Sequence, residues 1–385
     1  MAELRARVIE RARVQTMFMD SLLTDGRCPR TFQGDTLVTS DIGWWCSGFY
    51  PGVLWQVYEA TEDTLFRDLA VKHTLPLAGL LERNTDHDIG FQLMSSFGKM
   101  ARHLPSGTPS CHSDEPSCHS DEPSCHSERS EGISPQTVLA RGAGILAARL
   151  DPAVGVIRSW NGNRWNYPVI IDNMMNLELL MEYGDRAVAE KHALTTAANH
   201  FREDGTTWHL VDYADDGSVL GKQTVQGYAD DSAWARGQAW ALYGYAMMAR
   251  EERKIGNEEL AKTFYEVSAK LEGWILPRLP EDGVPYWDFS QTDCRDASAG
   301  AIIACGLLQL WEFRGRTPDD PALAMAERIL RTLASPEYLA EPRTLGGFLL
   351  KHSVGSLPGH SEVDVPLTYA DYYFLEALSL YPPEH

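Results

Sequence analysis

The sequence predicts an all-α protein, an (α/α)6 barrel of six helical hairpins, on three observations. Apolar residues recur at three and four spacing in segment after segment, with Gly, Pro or Asp between them. Twelve such segments fill most of the 385 residues. Tryptophans and carboxylates gather at or just before the starts of the even-numbered segments.

The first helix is expected near 3–24, where Met1-Ala2-Glu3-Leu4-Arg5 opens an amphipathic pattern rather than the charged and then apolar run of a signal peptide. The second, near 51–61, follows Trp44-Trp45-Cys46-Ser47-Gly48. Its Trp55 lies inside an apolar helical pattern and is expected in the core, as is Trp311 in the tenth. A third helix is expected near 64–83. The fourth, near 88–103, begins at Asp88, and the fifth lies near 136–150. Trp160 and Asp172 precede the sixth, near 173–184, with Asp172 joined to the apolar pair Ile170-Ile171. After the seventh, near 186–202, the strand-like run 208–213 is short and reads as a loop hairpin. The eighth, near 231–252, carries Trp234, Arg236 and Trp240, and the ninth lies near 257–278. Asp296 begins the tenth, near 296–315; the eleventh lies near 320–334, and Tyr369 begins the twelfth, near 367–380. Six antiparallel pairs in a ring give an inner and an outer circle. If the even helices are inner and run the same way, their N-termini meet at one rim, where helix dipoles favour an anion.

One tract falls outside this pattern. Pro109-Ser110-Cys111-His112-Ser113-Asp114-Glu115 recurs as a seven-residue unit and decays towards Glu128, a polar, Pro-broken stretch without apolar support. Residues 1–385 are therefore expected to form one catalytic domain interrupted by a disordered insertion at about 106–133.

With 54 acidic and 34 basic side chains the net charge is −20, which argues against nucleic acid or an anionic membrane surface as partner. No apolar run is long enough to span a membrane. The expected location is cytoplasmic, or periplasmic if a leader has been removed. The seven cysteines lack Cys-x-x-Cys spacing, so neither a disulfide framework nor a zinc site is expected. No cofactor and no metal are expected.

Each of the two aspartates either caps its helix or is held for acid/base work with a raised pKa. The flanking aromatics favour the second role. Trp45, Trp160 and Trp240 stand beside Gly or polar residues, and flat apolar rings with a polar edge suit the faces of sugars, although core burial is the competing reading. Arg236 and Trp240 are four apart and share a helix face, with His209 and Gln226 on the irregular stretch before it. A cation, an amide and an imidazole near two carboxylates fit a uronic acid, and paired carboxylates with aromatics fit glycoside chemistry.

These stretches resemble the unsaturated glucuronyl hydrolases of glycoside hydrolase family 88. The resemblance runs through Trp45-Cys46-Ser47-Gly48-Phe49-Tyr50-Pro51-Gly52, His87-Asp88-Ile89-Gly90-Phe91, Arg158-Ser159-Trp160 and Ile171-Asp172-Asn173-Met174-Met175-Asn176. It continues through Gln226-Gly227-Tyr228, Asp231-Ser232-Ala233-Trp234-Ala235-Arg236-Gly237-Gln238-Ala239-Trp240, Arg295-Asp296-Ala297-Ser298 and Tyr369-Ala370-Asp371-Tyr372-Tyr373. It implies the barrel and the removal of a 4,5-unsaturated uronate from the non-reducing end of oligosaccharides left by lyases. By the same resemblance Asp172 is the general acid/base and Asp88 the second essential carboxylate. Trp45, Trp160 and Trp240 flank the sugar, His87, His209, Gln226, Arg236 and Tyr369 contact it, His352-Ser353-Val354-Gly355-Ser356 closes over it, and Lys351 is its counter-ion. The chain departs from the family pattern at the heptad tract and in shortened segments at 181–186 and 288–295.

Three other readings stay open on sequence. An unsaturated rhamnogalacturonyl hydrolase uses the same barrel and chemistry on pectin fragments. A sugar 2-epimerase needs paired histidines that this chain does not display. A carbohydrate-binding helical toroid would use the tryptophans for stacking and the aspartates only as caps. The scarcity of Lys and Arg near the predicted rim leans towards lightly sulfated or unsulfated disaccharides. Oligomeric state is left open.

Overall fold

A computed structural model describes residues 1–24, 26–83, 86–104, 134–162 and 164–382. The expected insertion at 106–133 lies outside the described residues. The helices are α1 (Ala2–Leu22), α2 (Phe49–Thr61), α3 (Thr64–Thr74, continued by a 3-10 stretch Leu75–Glu82) and α4 (Ile89–Leu93, Met94–Gly98 and Lys99–His103 in series). They continue as α5 (Pro135–Ala147), α6 (a 3-10 turn Ile171–Asn176 running into Leu177–Tyr183), α7 (Arg186–His200) and α8 (Ala235–Lys254). The last four are α9 (Glu258–Ile275), α10 (Ala297–Phe313), α11 (Pro321–Leu333) and α12 (Thr368–Leu380). Among the described residues no helix is long and apolar enough to cross a membrane.

Burial separates two circles. In α10 every residue from Ala297 to Trp311 is buried, and in α2 every residue from Phe49 to Val57. Helices buried all round belong inside a larger protein. By contrast α9 buries only Ala261, Phe264, Ser268, Leu271, Glu272 and Ile275, a single stripe at three and four spacing. The ring closes: α2 packs on α4, α4 on α6, α6 on α8, α8 on α10, α10 on α12 and α12 on α2. This is the (α/α)6 barrel, with even helices inside.

Close approach within the inner ring depends on glycine at two points. A Cβ on Gly48 would lie 2.2 Å from the Gln92 carbonyl oxygen, and one on Gly90 would lie 2.5 Å from the Asn176 side chain. Midway along α4 the backbone widens into a π turn at Met94–Gly98, where the Ser95 and Ser96 hydroxyls donate back to the carbonyls of Phe91 and Gln92.

Short strands decorate the rim. β1 (Cys28–Gln33) pairs with β2 (Thr36–Ser40), and β3 (Leu150–Asp151) with β4 (Val156–Ile157), each antiparallel. β5 (Pro168–Ile170), β6 (Leu210–Tyr213) and β7 (Val219–Gln223) form a three-stranded antiparallel sheet. The run 208–213, expected as part of a loop hairpin, thus supplies the central strand of a sheet. β8 (Ser353–Ser356) and β9 (Ser361–Val365) make the last hairpin.

Candidate active site

The helix caps distinguish the two roles open to the aspartates. Outer helices α3, α5, α7, α9 and α11 are capped by Asp63, Ser134, Asp185, Asn257 and Asp320. Of the inner ring, only α10 is, by Asp296, whose Oδ1 accepts from the backbone N–H groups of Ser298 and Ala299. Asp88 occupies the N-cap position of α4 without accepting a capping bond, and Asp172 lies inside the first turn of α6. Both carboxylates are left facing a pocket of about 350 Å³ instead of the helix backbone.

Local pairing brings the two together. Ser159 accepts the His87 N–H at its carbonyl, donates its own N–H to Pro168 and accepts the Ile170 N–H at its hydroxyl. One buried serine therefore ties the residue before Asp88 to the strand before Asp172. Across the β5–β6 pair the Ile171 N–H donates to the His209 carbonyl, which sets the His209 ring beside Asp172. Sequence reading passed over Ser159, whose role is visible only once these strands pair.

Asp172 is buried, and its Oδ2 has no hydrogen-bond partner among the described residues. Burial pushes its carboxyl up to about 6, opposed by the Arg236 charge. His209 Nε2 lies 3.7 Å from Asp172 Oδ2, and burial, with Arg236 nearby, drops this imidazole to about 3, so the contact is between a carboxyl and a neutral ring. Asp88 is pushed well above the usual carboxylate range by burial and by the charges of Asp86 and Asp172. His87 Nε2 stands 3.5 Å from Asp88 Oδ1, and burial lowers that ring to about 4. The Asn176 carbonyl oxygen is taken by the Phe91 N–H at 2.7 Å, so its amide nitrogen donates to His87 Nδ1 at 3.3 Å and the His87 proton sits on Nε2, towards Asp88.

Of the residues expected at the site, Trp45, His87, Asp88, Trp160, Asp172, Gln226, Arg236 and Tyr369 line the pocket. His209 stands behind Asp172 without lining it. Trp240, expected to flank the sugar, is fully buried against Phe91 and Tyr373 and is not among the residues that line the pocket. Lys351, expected as a counter-ion, donates from its ammonium to the Pro336 carbonyl and is likewise absent from the pocket wall. Arg236 also differs from expectation. Its Nη1 donates to Asp296 and the Val354 carbonyl, and its Nη2 to Gln226 and the Gly355 carbonyl, so all four Nη hydrogens are directed at protein acceptors. It acts on the pocket through its charge and by tethering the β8–β9 hairpin to the rim. Arg30, Ser361 and Glu362 line the pocket without having been expected there, and Trp44 lies in its wall as its place before the second helix predicted.

No family model matches the chain. It is 37% identical over 351 residues, 87% of its own length and 79% of the relative's, to the unsaturated glucuronyl hydrolase of Formosa agariphila. A solved unsaturated glucuronyl hydrolase specific for heparin is 37% identical and superposes with a TM-score of 0.86, covering 99% of this chain and 97% of that one. The Streptococcus agalactiae enzyme complexed with dGlcA-GalNAc6S superposes at 0.76 with 26% identity, over 99% and 92%. The chain belongs to the unsaturated glucuronyl hydrolases of glycoside hydrolase family 88. Membership makes it a glycosidase.

Proposed function

We propose that this chain removes the 4,5-unsaturated uronic acid from the non-reducing end of glycosaminoglycan-derived oligosaccharides, with Asp172 as general acid and then base. The observation that carries the assignment of Asp172 is its buried carboxyl, unpaired at Oδ2, facing the pocket and titrating at about 6. A group that first gives and then takes a proton works best with a pKa near the working pH.

The unsaturated ring enters with Trp45 and Trp160 along its faces. Protonated Asp172 delivers its proton to C4 of the vinyl ether, and positive charge develops at C5. Water, deprotonated by the resulting Asp172 carboxylate, adds there to give a hemiketal. The hemiketal opens to a ketone by breaking the bond between C5 and the ring oxygen, and the hemiacetal left at C1 expels the remaining sugar as an alcohol. Atoms balance as one water added per glycosidic bond lost. Asp88, beside the His87 Nε2 proton, orients the ring hydroxyls. Arg236 keeps Asp172 from titrating higher still, so that its carboxylate is available for the second half of the cycle.

The test is loss of the ultraviolet absorbance of the conjugated double bond on incubation with lyase-generated unsaturated disaccharides, with Asp172→Asn alongside. The expected result is turnover by the wild type and a loss of about 10³-fold or more in the variant with substrate binding retained. Turnover of pectin fragments alone would move the activity to the rhamnogalacturonyl type. Binding without turnover in both proteins would leave a carbohydrate-binding toroid.

A further inference from the structure

The pocket narrows to a mouth formed by residues that the mechanism leaves unused. Arg30, from β1, lies with its guanidinium carbon 3.9 Å from the centroid of the Trp44 ring. Its Nη2 donates to Glu362 Oε1, from β9, at 2.8 Å. Trp44 is 39% exposed, whereas the side chains of Arg30 and Glu362 are 22% and 14% exposed. Trp44 is thus the solvent-facing member of the trio, and it holds Arg30 and Glu362 in the wall of the pocket that also contains Asp172.

Glu362 is held there at a cost. Its φ is +56°, with His360 at +49° and Asp364 at +53° on either side, a left-handed conformation that non-glycine residues adopt when their surroundings enforce it. Gly355 on the facing strand makes room for it, since a Cβ there would lie 2.6 Å from Glu362 Oε2. The hairpin is built to aim one carboxylate at the mouth.

Charge accounting then gives it a role. Among the described residues lining the pocket the cations are Arg30 and Arg236. Arg236 is paired with Asp296 and spends its Nη hydrogens on the protein. Arg30 is paired with Glu362, although its Nε is buried without a hydrogen-bond partner. No lining cation is uncompensated, while Asp88 and Asp172 add acidic groups deeper in. The unsaturated ring must reach Asp172, so the sugar it is attached to passes Trp44, Arg30 and Glu362.

We propose that the Arg30–Glu362 pair on Trp44 is the specificity determinant for the leaving sugar, with Glu362 cancelling Arg30 so that an unsulfated hexosamine is preferred over a sulfated one. Trp44 stacks on that sugar, and the Arg30–Glu362 pair beside it presents no net charge. A sulfate at this point meets a neutral pair instead of a free cation, and gains nothing for the hydration it gives up. This deepens the glycosidase reading and rests on it.

The experiment compares kcat/KM for an unsaturated uronate–hexosamine disaccharide with that for the same disaccharide carrying one sulfate on the hexosamine. The ratio is taken within each preparation, which cancels any loss of active protein. Glu362→Gln is expected to raise the sulfated-to-unsulfated ratio by roughly 3- to 10-fold, the effect of removing one unit charge several ångströms away in a partly solvated site. Arg30→Gln is expected to lower it by a similar factor, and Arg30→Lys, which keeps the charge, to hold it near wild type. Both shifts are expected to shrink at 0.5 M salt. A ratio unchanged in both neutral variants, or moved the same way in both, overturns the proposal and leaves the pair a structural tie. A wild type that turns over neither disaccharide would instead overturn the glycosidase reading itself.

Discussion

In the proposed reaction Asp172 works with a carboxyl at about 6 because burial raises it further than the Arg236 charge lowers it. Its pKa in the folded chain lies above that of a free aspartate, so it keeps its proton below pH 6 and loses it above. The first chemical step consumes that proton, so kcat/KM should be full on the acid side and fall as pH rises through about 6. From sequence, Trp45 and Trp240 were equally plausible sugar platforms. The difference between them is that Trp45 lies in the turn before α2 and lines the pocket, whereas Trp240 lies within α8 and is packed under it, a placement set by the closed ring.

At the scale of elements, each inner helix meets the rim with its N-terminus, and the hairpins that cover it are fastened by buried polar groups. Asp371, near the start of α12, accepts the Leu349 and Leu350 N–H groups at 2.8 Å each and so holds the segment leading into the β8–β9 hairpin. Burial pushes this carboxyl up to about 8 against those two bonds. At low pH Asp371 is a carboxylic acid with one O–H and one carbonyl oxygen, which Asp371→Asn replaces by an amide N–H and a carbonyl oxygen, so the substitution should cost no more than about 1–3 kcal/mol in urea unfolding there. Because the folded-state pKa is raised, the wild type loses stability as pH climbs from about 4 to 8 while the asparagine does not titrate. Over that window the gap should close and then reverse, leaving the asparagine variant the more stable at pH 8. A gap constant with pH would mean that Asp371 stays ionised throughout. The twelve helices were legible in the sequence because apolar periodicity is a local signal; the all-round burial of α2 and α10 is the same signal carried to its limit. The rim was only half legible. Asp88, Asp172 and Arg236 could be found because they sit beside helix starts, whereas Arg30 and Glu362 lie 332 residues apart on hairpins with weak patterns, and only ring closure brings them together.

Ring closure also decides how the whole molecule meets its substrate. A net charge of −20 repels a uronate at long range, yet several inner helices, including α2, α4, α8 and α12, present uncapped N-termini to one pocket. The two fields differ in reach. Helix-dipole attraction falls off within about the first turn, while the repulsion of distributed surface charge extends over the Debye length, roughly 30 Å at 0.01 M salt and 8 Å at 0.15 M. Added salt therefore removes the repulsion first and leaves the attraction at the rim largely intact. For a monoanionic unsaturated disaccharide kcat/KM should rise about two- to threefold between 10 mM and 150 mM salt, carried by KM with kcat nearly constant. A disaccharide with an added sulfate doubles the charge that the protein repels, so its kcat/KM should climb more steeply over the same range. A fall with salt for both substrates would mean that attraction at the rim dominates even at long range, and that the negative surface plays no part in selecting what enters.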